Sequence, residues 1–166
     1  MDNNEKTFCT GGVKLAPPKA IPSHAESLSL GSKVLVVYES LSGNTKTFVD
    51  FIVKAYPNVN FIIKNTKDDL TNLEEYDKII IGTYTWSNGK IPKNIKSFVI
   101  SNRDVLINKP VLLFGSGITI YTHFCGALDN IQIILEKDIP KIKFELTFIP
   151  EEHKEDLEMF NNFIKE

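Results

Sequence analysis

The feature that most constrains the fold of this chain is a regular alternation of short apolar runs with longer segments of helical period. The apolar runs are VLVVY (34–38), VNFIIK (59–64), DKIIIGT (77–83), PVLLFGS (110–116) and IKFELTFI (142–149). Runs of this length that are rich in Val and Ile are typical of strands, and continuous hydrophobicity is typical of strands buried on both faces. The sequence therefore contains five candidate strands for a parallel sheet.

Segments of helical period lie between and after these runs. They are TKTFVDFIVKAY (45–56), IPKNIKSFVI (91–100), GALDNIQIILEK (126–137) and EEHKEDLEMFNNFIK (151–165), and a short helical segment is predicted near residues 70–75. The second of them has a proline in its first turn, where proline is well tolerated. Strands that alternate with helices predict the α/β class, with a doubly wound five-stranded parallel sheet and helices on both faces.

Residues 1–32 differ from the rest, because glycine, proline and serine interrupt every candidate period. We interpret them as an N-terminal tail, either flexible or docking, and residues 33–166 as one domain. No membrane span or secretory leader is predicted, and Cys9 and Cys125 fit neither a disulfide framework nor a metal site. The expected location is the cytoplasm. A net charge of -2 gives no argument for nucleic acid or membrane partners.

The loop after the first predicted strand, ESLSGNT (39–45), surrounds one glycine with hydroxyl and amide side chains. Ligands of doubly wound sheets bind beyond the carboxyl ends of the strands, and amides at a helix N-terminus favour anions. A nucleoside triphosphate loop would carry a lysine before its last hydroxyl residue, and this loop has none. The loop predicts a site for one terminal phosphate without a metal. A helix cap made by the same side chains is the alternative.

Two further loops at the same predicted edge carry aromatic residues. TYTWSNGK (83–90) places Trp86, the only tryptophan, among turn residues, and GSGITIYTHFCGALD (115–129) places Tyr121 after the fourth strand. Two rings on adjacent loops can stack on a flat conjugated ligand. Core packing of each ring is the alternative. Together with the anion loop they predict a planar ring that carries one phosphate, a description that fits FMN.

On these motifs the chain from Lys33 to Glu166 resembles a short-chain flavodoxin. The matching pieces are SLSGNT for the phosphate loop, IGTYTW for the first flavin loop, and FGSG with YTHFCGALD for the second. The resemblance implies strand order 2-1-3-4-5, FMN as the cofactor, and electron transfer by a monomeric domain that uses no catalytic residue and no metal. It also implies redox partners, namely a flavodoxin reductase or a ribonucleotide reductase subunit.

The resemblance also implies which residues contact FMN. Those expected to bind the phosphate are Ser40, Ser42, Gly43, Asn44 and Thr45, and those bordering the phosphate and ribityl chain are Thr83, Tyr84 and Thr85. Trp86 is expected to cover one flavin face and Tyr121 the other. The residues expected along the edge of the ring are Ser116, Gly117, Phe124 and Cys125. Leu41 and the turn residues Ser87, Asn88 and Gly89 complete the predicted set.

Two alternatives to a general electron carrier stay open. Flavodoxin-like activators of manganese (class Ib) ribonucleotide reductase, which supply oxidant or electrons for cofactor assembly, are similar in GNTKTF, in GKIPKNIKSFV and in KFEL followed by an acidic helix. A flavodoxin-like quinone reductase is the second alternative, although no additional loop for a nicotinamide site is visible. A phosphoacceptor receiver domain would need an aspartate where Gly82 and Thr83 stand. The prediction is a carrier and not an enzyme.

The predicted flavin loops also depart from the family pattern. Residues 83–103 contain Lys90, Lys93, Lys96 and Arg103 but no acidic residue, whereas flavodoxins usually surround the flavin with carboxylates. Ile118 stands where an aspartate is common. The sequence therefore predicts a neutral to basic rim and a different choice of partner from that of a strongly acidic carrier.

Overall fold

The computed structural model describes residues 31–166, which form a five-stranded sheet. The strands are β1 (Lys33–Tyr38), β2 (Asn60–Asn65), β3 (Lys78–Tyr84), β4 (Val111–Gly117) and β5 (Lys141–Glu145). They lie in the order β2-β1-β3-β4-β5, and every neighbouring pair is parallel. The predicted fold class and strand order are confirmed. The tail predicted at residues 1–32 lies outside the described residues except for its last two.

Helices cover both faces of the sheet. They are α1 (Asn44–Ala55), α2 (Lys93–Ser101), α3 (Arg103–Asn108), α4 (Gly126–Leu135) and α5 (Lys154–Lys165). Short 3-10 turns lie at Leu73–Glu75, Ser87–Gly89 and Pro150–Glu152. Helices α1 and α5 pack on one face, and α2, α3 and α4 on the other. No helix within residues 31–166 has the length and apolar character that crossing a bilayer requires.

Helix α3 was not predicted as a separate element. Asn102 separates it from α2 with a non-helical backbone, φ −111° and ψ 17°, and its side-chain amide donates to the carbonyl of Phe98. An asparagine side chain that bonds the local backbone in this way competes with the helical hydrogen bonds. The chain therefore leaves α2 at Asn102 and starts a new helix at Arg103.

The strand predicted at residues 142–149 is too long, since β5 ends at Glu145. Leu146 has a φ of 54°, in the left-handed region that non-glycine residues rarely adopt. Its amide donates to the carbonyl of Gly117 at 3.1 Å, which ties the turn to the end of β4. The chain thus bends at the carboxyl edge of the sheet, and a 3-10 turn at Pro150–Glu152 follows before α5 begins.

The strand order places a crevice at the carboxyl edge. The connection after β1 runs to β2 on one side, whereas the connection after β3 runs to β4 on the other side. The loops that follow β1 and β3 therefore separate at this edge, as expected at the switch point of a doubly wound sheet. All three sequence motifs lie in loops of this edge.

Two contacts of β3 fix its position, one with the neighbouring strand and one with a helix. A Cβ atom on Gly82 of β3 would lie 2.0 Å from Cζ of Phe114 on β4, so the aromatic ring occupies the space beside the glycine. At the other end of β3, the buried ammonium group of Lys78 donates to the backbone carbonyls of Phe163 and Ile164 in α5. Burial lowers the pKa of Lys78 below its ordinary value.

Candidate functional site

A cleft of about 640 Å³ opens at the carboxyl edge, within the size range of small-molecule sites. Loops that follow β1, β3, β4 and β5 form its walls. Most of the predicted cofactor-binding residues line it, namely Leu41, Ser42, Asn44, Tyr84, Thr85, Trp86, Ser87, Asn88, Gly89, Ser116, Gly117, Tyr121, Phe124 and Cys125. Residues that are distant in sequence are therefore brought into one cavity.

The other four predicted residues are not part of the lining, and their hydrogen bonds support the loops around it. The amide of Gly43 donates to Oγ of Ser40 at 3.1 Å, which closes the turn before α1. The buried hydroxyl groups of Thr45 and Ser116 are 2.9 Å apart, and this contact joins α1 to β4. Oγ1 of Thr83 donates to the carbonyl of Tyr84 at 2.8 Å. Direct ligand contacts of Ser40, Gly43, Thr45 and Thr83 stay predictions.

Four lining residues were not among those predicted. Ile118, Thr122 and His123 belong to the third loop motif, so the signal that placed Tyr121 and Phe124 in the site could have included them. Leu146 carried no such signal. It lay inside a predicted strand, and only its left-handed backbone brings it to the cleft.

The turn before α1 leaves the N-terminus of that helix without a side-chain cap. Gly43 occupies the cap position with a φ of 90°, and no side chain of residues 31–166 makes a cap hydrogen bond there. The first amides of a helix have no partner within the helix, and the helix dipole favours an anion at this end. One loop hydroxyl, that of Ser40, accepts from the amide of the cap residue Gly43, so among the described residues the alternative of a hydroxyl cap is met there and not at the amides that follow.

The two predicted stacking residues are exposed, not buried. The relative solvent exposure of Trp86 is 54% and that of Tyr121 is 67%. The ring of Tyr84 meets that of Trp86 edge-on, with centroids 6.2 Å apart. Because large aromatic side chains are usually buried, two exposed ones in the walls of one cleft indicate a surface that binds a ligand or partner. The alternative of core packing is wrong for both.

A tight hairpin fixes the backbone of Trp86. The amide of Trp86 donates to the carbonyl of Lys90 at 2.9 Å, and the amide of Lys90 donates back at 3.1 Å. Between them, Asn88 and Gly89 both adopt left-handed conformations, with φ of 57° and 76°. Asparagine and glycine tolerate this conformation better than other residues, so the sequence Ser87-Asn88-Gly89 suits the turn.

The loops after β3 and β4 pack directly against each other. A Cβ on Gly89 would lie 3.1 Å from Cβ of His123, and a Cβ on Gly126 would lie 3.1 Å from Cα of Gly89. The side-chain amide of Asn130 donates to the carbonyl of Gly89 at 2.7 Å. The positions of Trp86 and Tyr121 are therefore set by one connected unit, and not by two independent loops.

Ionisable groups at the cleft offer no activated nucleophile. Burial raises the pKa of the Cys125 thiol to about 12, and its sulfur lies 3.4 Å from the carbonyl of Gly115. The thiol therefore stays neutral at physiological pH, and thiolates are the reactive form. Burial, followed by the nearby Glu39 carboxylate, raises the pKa of Tyr84. Within residues 31–166 no three His, Cys, Asp or Glu side chains form a group able to hold a metal ion.

Comparison with known protein families agrees with this geometry. The family model described as flavodoxin matches residues 36–159, which span β1 to α5 and include every loop of the cleft. The chain belongs to the flavodoxin family.

Individual flavodoxins are similar over most of the domain. The probable flavodoxin 2 of Bacillus subtilis is 32% identical over 144 residues, which cover 81% of this chain and 95% of the relative. The crystal structure of oxidised flavodoxin 1 from Bacillus cereus superposes with a TM-score of 0.67 at 27% identity, covering 81% of this chain and 98% of that one. The structure of Fusobacterium nucleatum flavodoxin bound to flavin mononucleotide has a TM-score of 0.53 at 19% identity, covering 80% and 94%, and shows the shared fold alone.

Proposed function

We propose that this flavodoxin binds FMN in the cleft and carries electrons between redox proteins. The observation that carries the proposal is the placement of two exposed aromatic rings, those of Trp86 and Tyr121, in one cleft with the uncapped N-terminus of α1. A ligand that is flat and conjugated at one end and anionic at the other matches this arrangement. FMN has both properties, and the solved flavodoxin of the same fold described above binds it.

Each part of the cleft suits one part of FMN. The side chains of Ser42 and Asn44, with the first amides of α1, would hold the phosphate. Tyr84 and Thr85 line the wall along which the ribityl chain would lie, and the rings of Trp86 and Tyr121 would cover the flavin. Bound FMN supplies reversible redox chemistry. The protein orients the ring, limits the access of water and sets the charge around it.

An electron carrier needs no acid, base or nucleophile of its own, and the cleft agrees with this requirement. The thiol of Cys125 is buried and held neutral, and His123, which lines the cleft, is exposed and forms no hydrogen bond with a Ser or Cys side chain among the described residues. We therefore propose a carrier that meets redox proteins at the mouth of the cleft, and not an enzyme with a substrate site beside the flavin. The narrower roles of reductase activator and quinone reductase stay predictions.

Identification of the bound flavin tests this function. Full-length protein is expected to purify with FMN, or to quench the fluorescence of added FMN with a stoichiometry of one flavin per chain. Flavin released by denaturation should migrate as FMN in chromatography. FAD carries an additional adenine ring, and the proposed contacts of the cleft include none for it. Release of FAD, or a protein that neither carries nor quenches FMN, would contradict the proposal.

Removal of either stacking ring should weaken the binding of FMN. Trp86→Ala and Tyr121→Ala are each expected to cost about 1–3 kcal/mol, the value of aromatic stacking on a nucleic acid base. Dissociation constants from fluorescence quenching measure the effect. Trp86→Phe should recover part of the loss because it keeps an aromatic face. Ile133→Ala, at an exposed position of α4 outside the cleft, is the matched control. Equal affinities of all four variants for FMN would show that the rings of Trp86 and Tyr121 do not stack on the flavin.

A further inference from the structure

Three lysines lie along the lip of the cleft that carries Trp86. Lys90 closes the Trp86 hairpin, and Lys93 and Lys96 follow on α2, where residues three apart are neighbours on the helix surface. All three are exposed. Among the residues that the structure describes, none of them forms an ion pair or a side-chain hydrogen bond. We refer to Lys90, Lys93 and Lys96 as the basic lip.

Several basic side chains elsewhere around the sheet differ from the basic lip because they pair with carboxylates of the domain. Lys46 pairs with Asp50 at 2.6 Å, and Lys141 and Lys143 pair with Asp129 at about 3 Å. A carboxylate at this distance offsets most of the charge of its lysine, whereas no lysine of the lip has such a partner among the described residues.

Two carboxylates lie at the same edge of the sheet and keep their charge, because their hydrogen-bond partners are neutral groups. Glu39, at the end of β1, is half-buried and accepts a hydrogen bond from the side-chain amide of Asn94 at 3.2 Å. Glu145, at the end of β5, accepts hydrogen bonds from the backbone and hydroxyl of Thr119 in the loop after β4. On the α2 side of the cleft mouth the single carboxylate of Glu39 therefore faces three lysines, so the net charge there is positive.

Exposed apolar side chains surround the same mouth. They are Leu41, Trp86, Ile118, Ile120, Tyr121 and Leu146, and Ile120 is the most exposed of them at 84%. An apolar centre with charged residues at its margin is the usual anatomy of a protein interface. A small ligand alone would not account for Ile120, which lies outside the lining of the cleft. The surface therefore fits a macromolecule that covers the cleft mouth.

We propose that the redox partner of this flavodoxin presents an acidic protein surface to the basic lip. The inference rests on the proposed function and adds the chemistry of the partner. Complementary charge at the margin of an interface acts mainly on the rate of association and on the exclusion of wrong partners. Its effect falls as salt is added, because the Debye length is only about 8 Å at physiological ionic strength.

Two forms of one acceptor, which differ in the sign of their charge, test the inference. Mitochondrial cytochrome c is basic, and exhaustive succinylation of its lysines makes it acidic. The full-length protein, loaded with FMN and fully reduced, gives up two electrons per flavin and so converts two ferric haems to ferrous. Stopped-flow absorbance measures the second-order rate. We expect the succinylated form to react faster, with a rate that falls as salt is added.

Charge-reversal variants test whether the basic lip causes the faster reaction with succinylated cytochrome c. Lys93→Glu with Lys96→Glu is expected to slow the reaction with succinylated cytochrome c about tenfold at low salt, at the lower end of electrostatic steering effects. The control pair is Lys54→Glu with Lys165→Glu. It changes the net charge equally, but both lysines are exposed in the last turns of α1 and α5, at the opposite edge of the sheet. Equal slowing by the control pair, or a faster reaction with native cytochrome c, would overturn the proposal.

A second measurement does not depend on the flavin. In the full-length protein without added FMN, tris(oxalato)chromate(III), a paramagnetic trianion, should broaden the amide resonances of residues 90–97 as well as those of the first turn of α1, whereas the tris(ethylenediamine)chromium(III) cation should broaden neither set. Selective broadening without any FMN binding would count against the proposed function alone. FMN binding without selective broadening would count against the basic lip. A short RNA duplex that broadened these resonances and blocked the succinylated cytochrome would assign the lip to nucleic acid and overturn the proposal.

Discussion

Riboflavin is expected to bind this protein at least about 3 kcal/mol more weakly than FMN, which is roughly a hundredfold in the dissociation constant. The two ligands share the ring and the ribityl chain and differ only in the phosphate. That group would be held by the uncapped N-terminus of α1 and by the polar side chains of Ser42 and Asn44. Each hydrogen bond to a charged group contributes about 1.5–3 kcal/mol, so even two of them account for the difference.

Fluorescence quenching of both flavins by the apoprotein measures this difference. Asn44→Ala should weaken the binding of FMN but leave riboflavin almost unchanged, so the gap between the two ligands should narrow. Ser101→Ala removes an exposed hydroxyl at the end of α2, away from the cleft, and should leave the gap intact. Equal affinity of the wild-type protein for the two flavins would show that the loop does not hold the phosphate.

Gly82→Ala is expected to lower the free energy of unfolding by at least about 3 kcal/mol, the upper end of the usual cost of overpacking. The added Cβ would lie 2.0 Å from Cζ of Phe114, the register partner of Gly82 on β4. The ring cannot move aside easily, because it is fully buried and its centroid lies 4.7 Å from that of Phe48. Urea denaturation of the apoprotein measures the loss.

A second substitution separates this contact from a general effect of losing the glycine. Phe114→Leu removes the ring atoms that approach Gly82, so Gly82→Ala should cost much less in that background than in the wild type. The difference between the two costs is the coupling energy of the pair. Additive effects of Gly82→Ala and Phe114→Leu would contradict the assigned clash.

The sheet could be predicted because its signal is local. Val and Ile fill β1 and β3 almost continuously, and burial of a strand on both faces requires that composition. The end of β5 and the break between α2 and α3 could not be predicted in the same way. The apolar run through Leu146 continues past the strand, and only contact with Gly117 shows where the backbone turns. At Asn102, a side-chain hydrogen bond decides the outcome.

The location of the site could also be predicted from the sequence, but the orientation of its individual side chains could not. Three loops of unusual composition lie at the carboxyl edge, and the topology rule joins them into one cleft. The sequence could not distinguish hydroxyl groups that line the cleft from those that form hydrogen bonds in the interior of the domain. Ser42 lines the cleft, whereas Thr45 is buried against Ser116 only three residues later. Leu146 enters the site through a backbone conformation that its residue type disfavours.

The contact between Lys78 and the end of α5 also bears on when the domain can complete its core during translation. The ribosome makes β3 well before α5, so the ammonium group of Lys78 lacks its carbonyl acceptors while the rest of the sheet is emerging. Over the same interval, the sheet face that Phe160 and Phe163 later cover has no helix α5 on it. Domains generally fold as units during translation. We therefore expect this one to complete its core only after Ile164 has left the exit tunnel, and nascent chains stopped before α5 to be clients of chaperones that bind apolar surfaces.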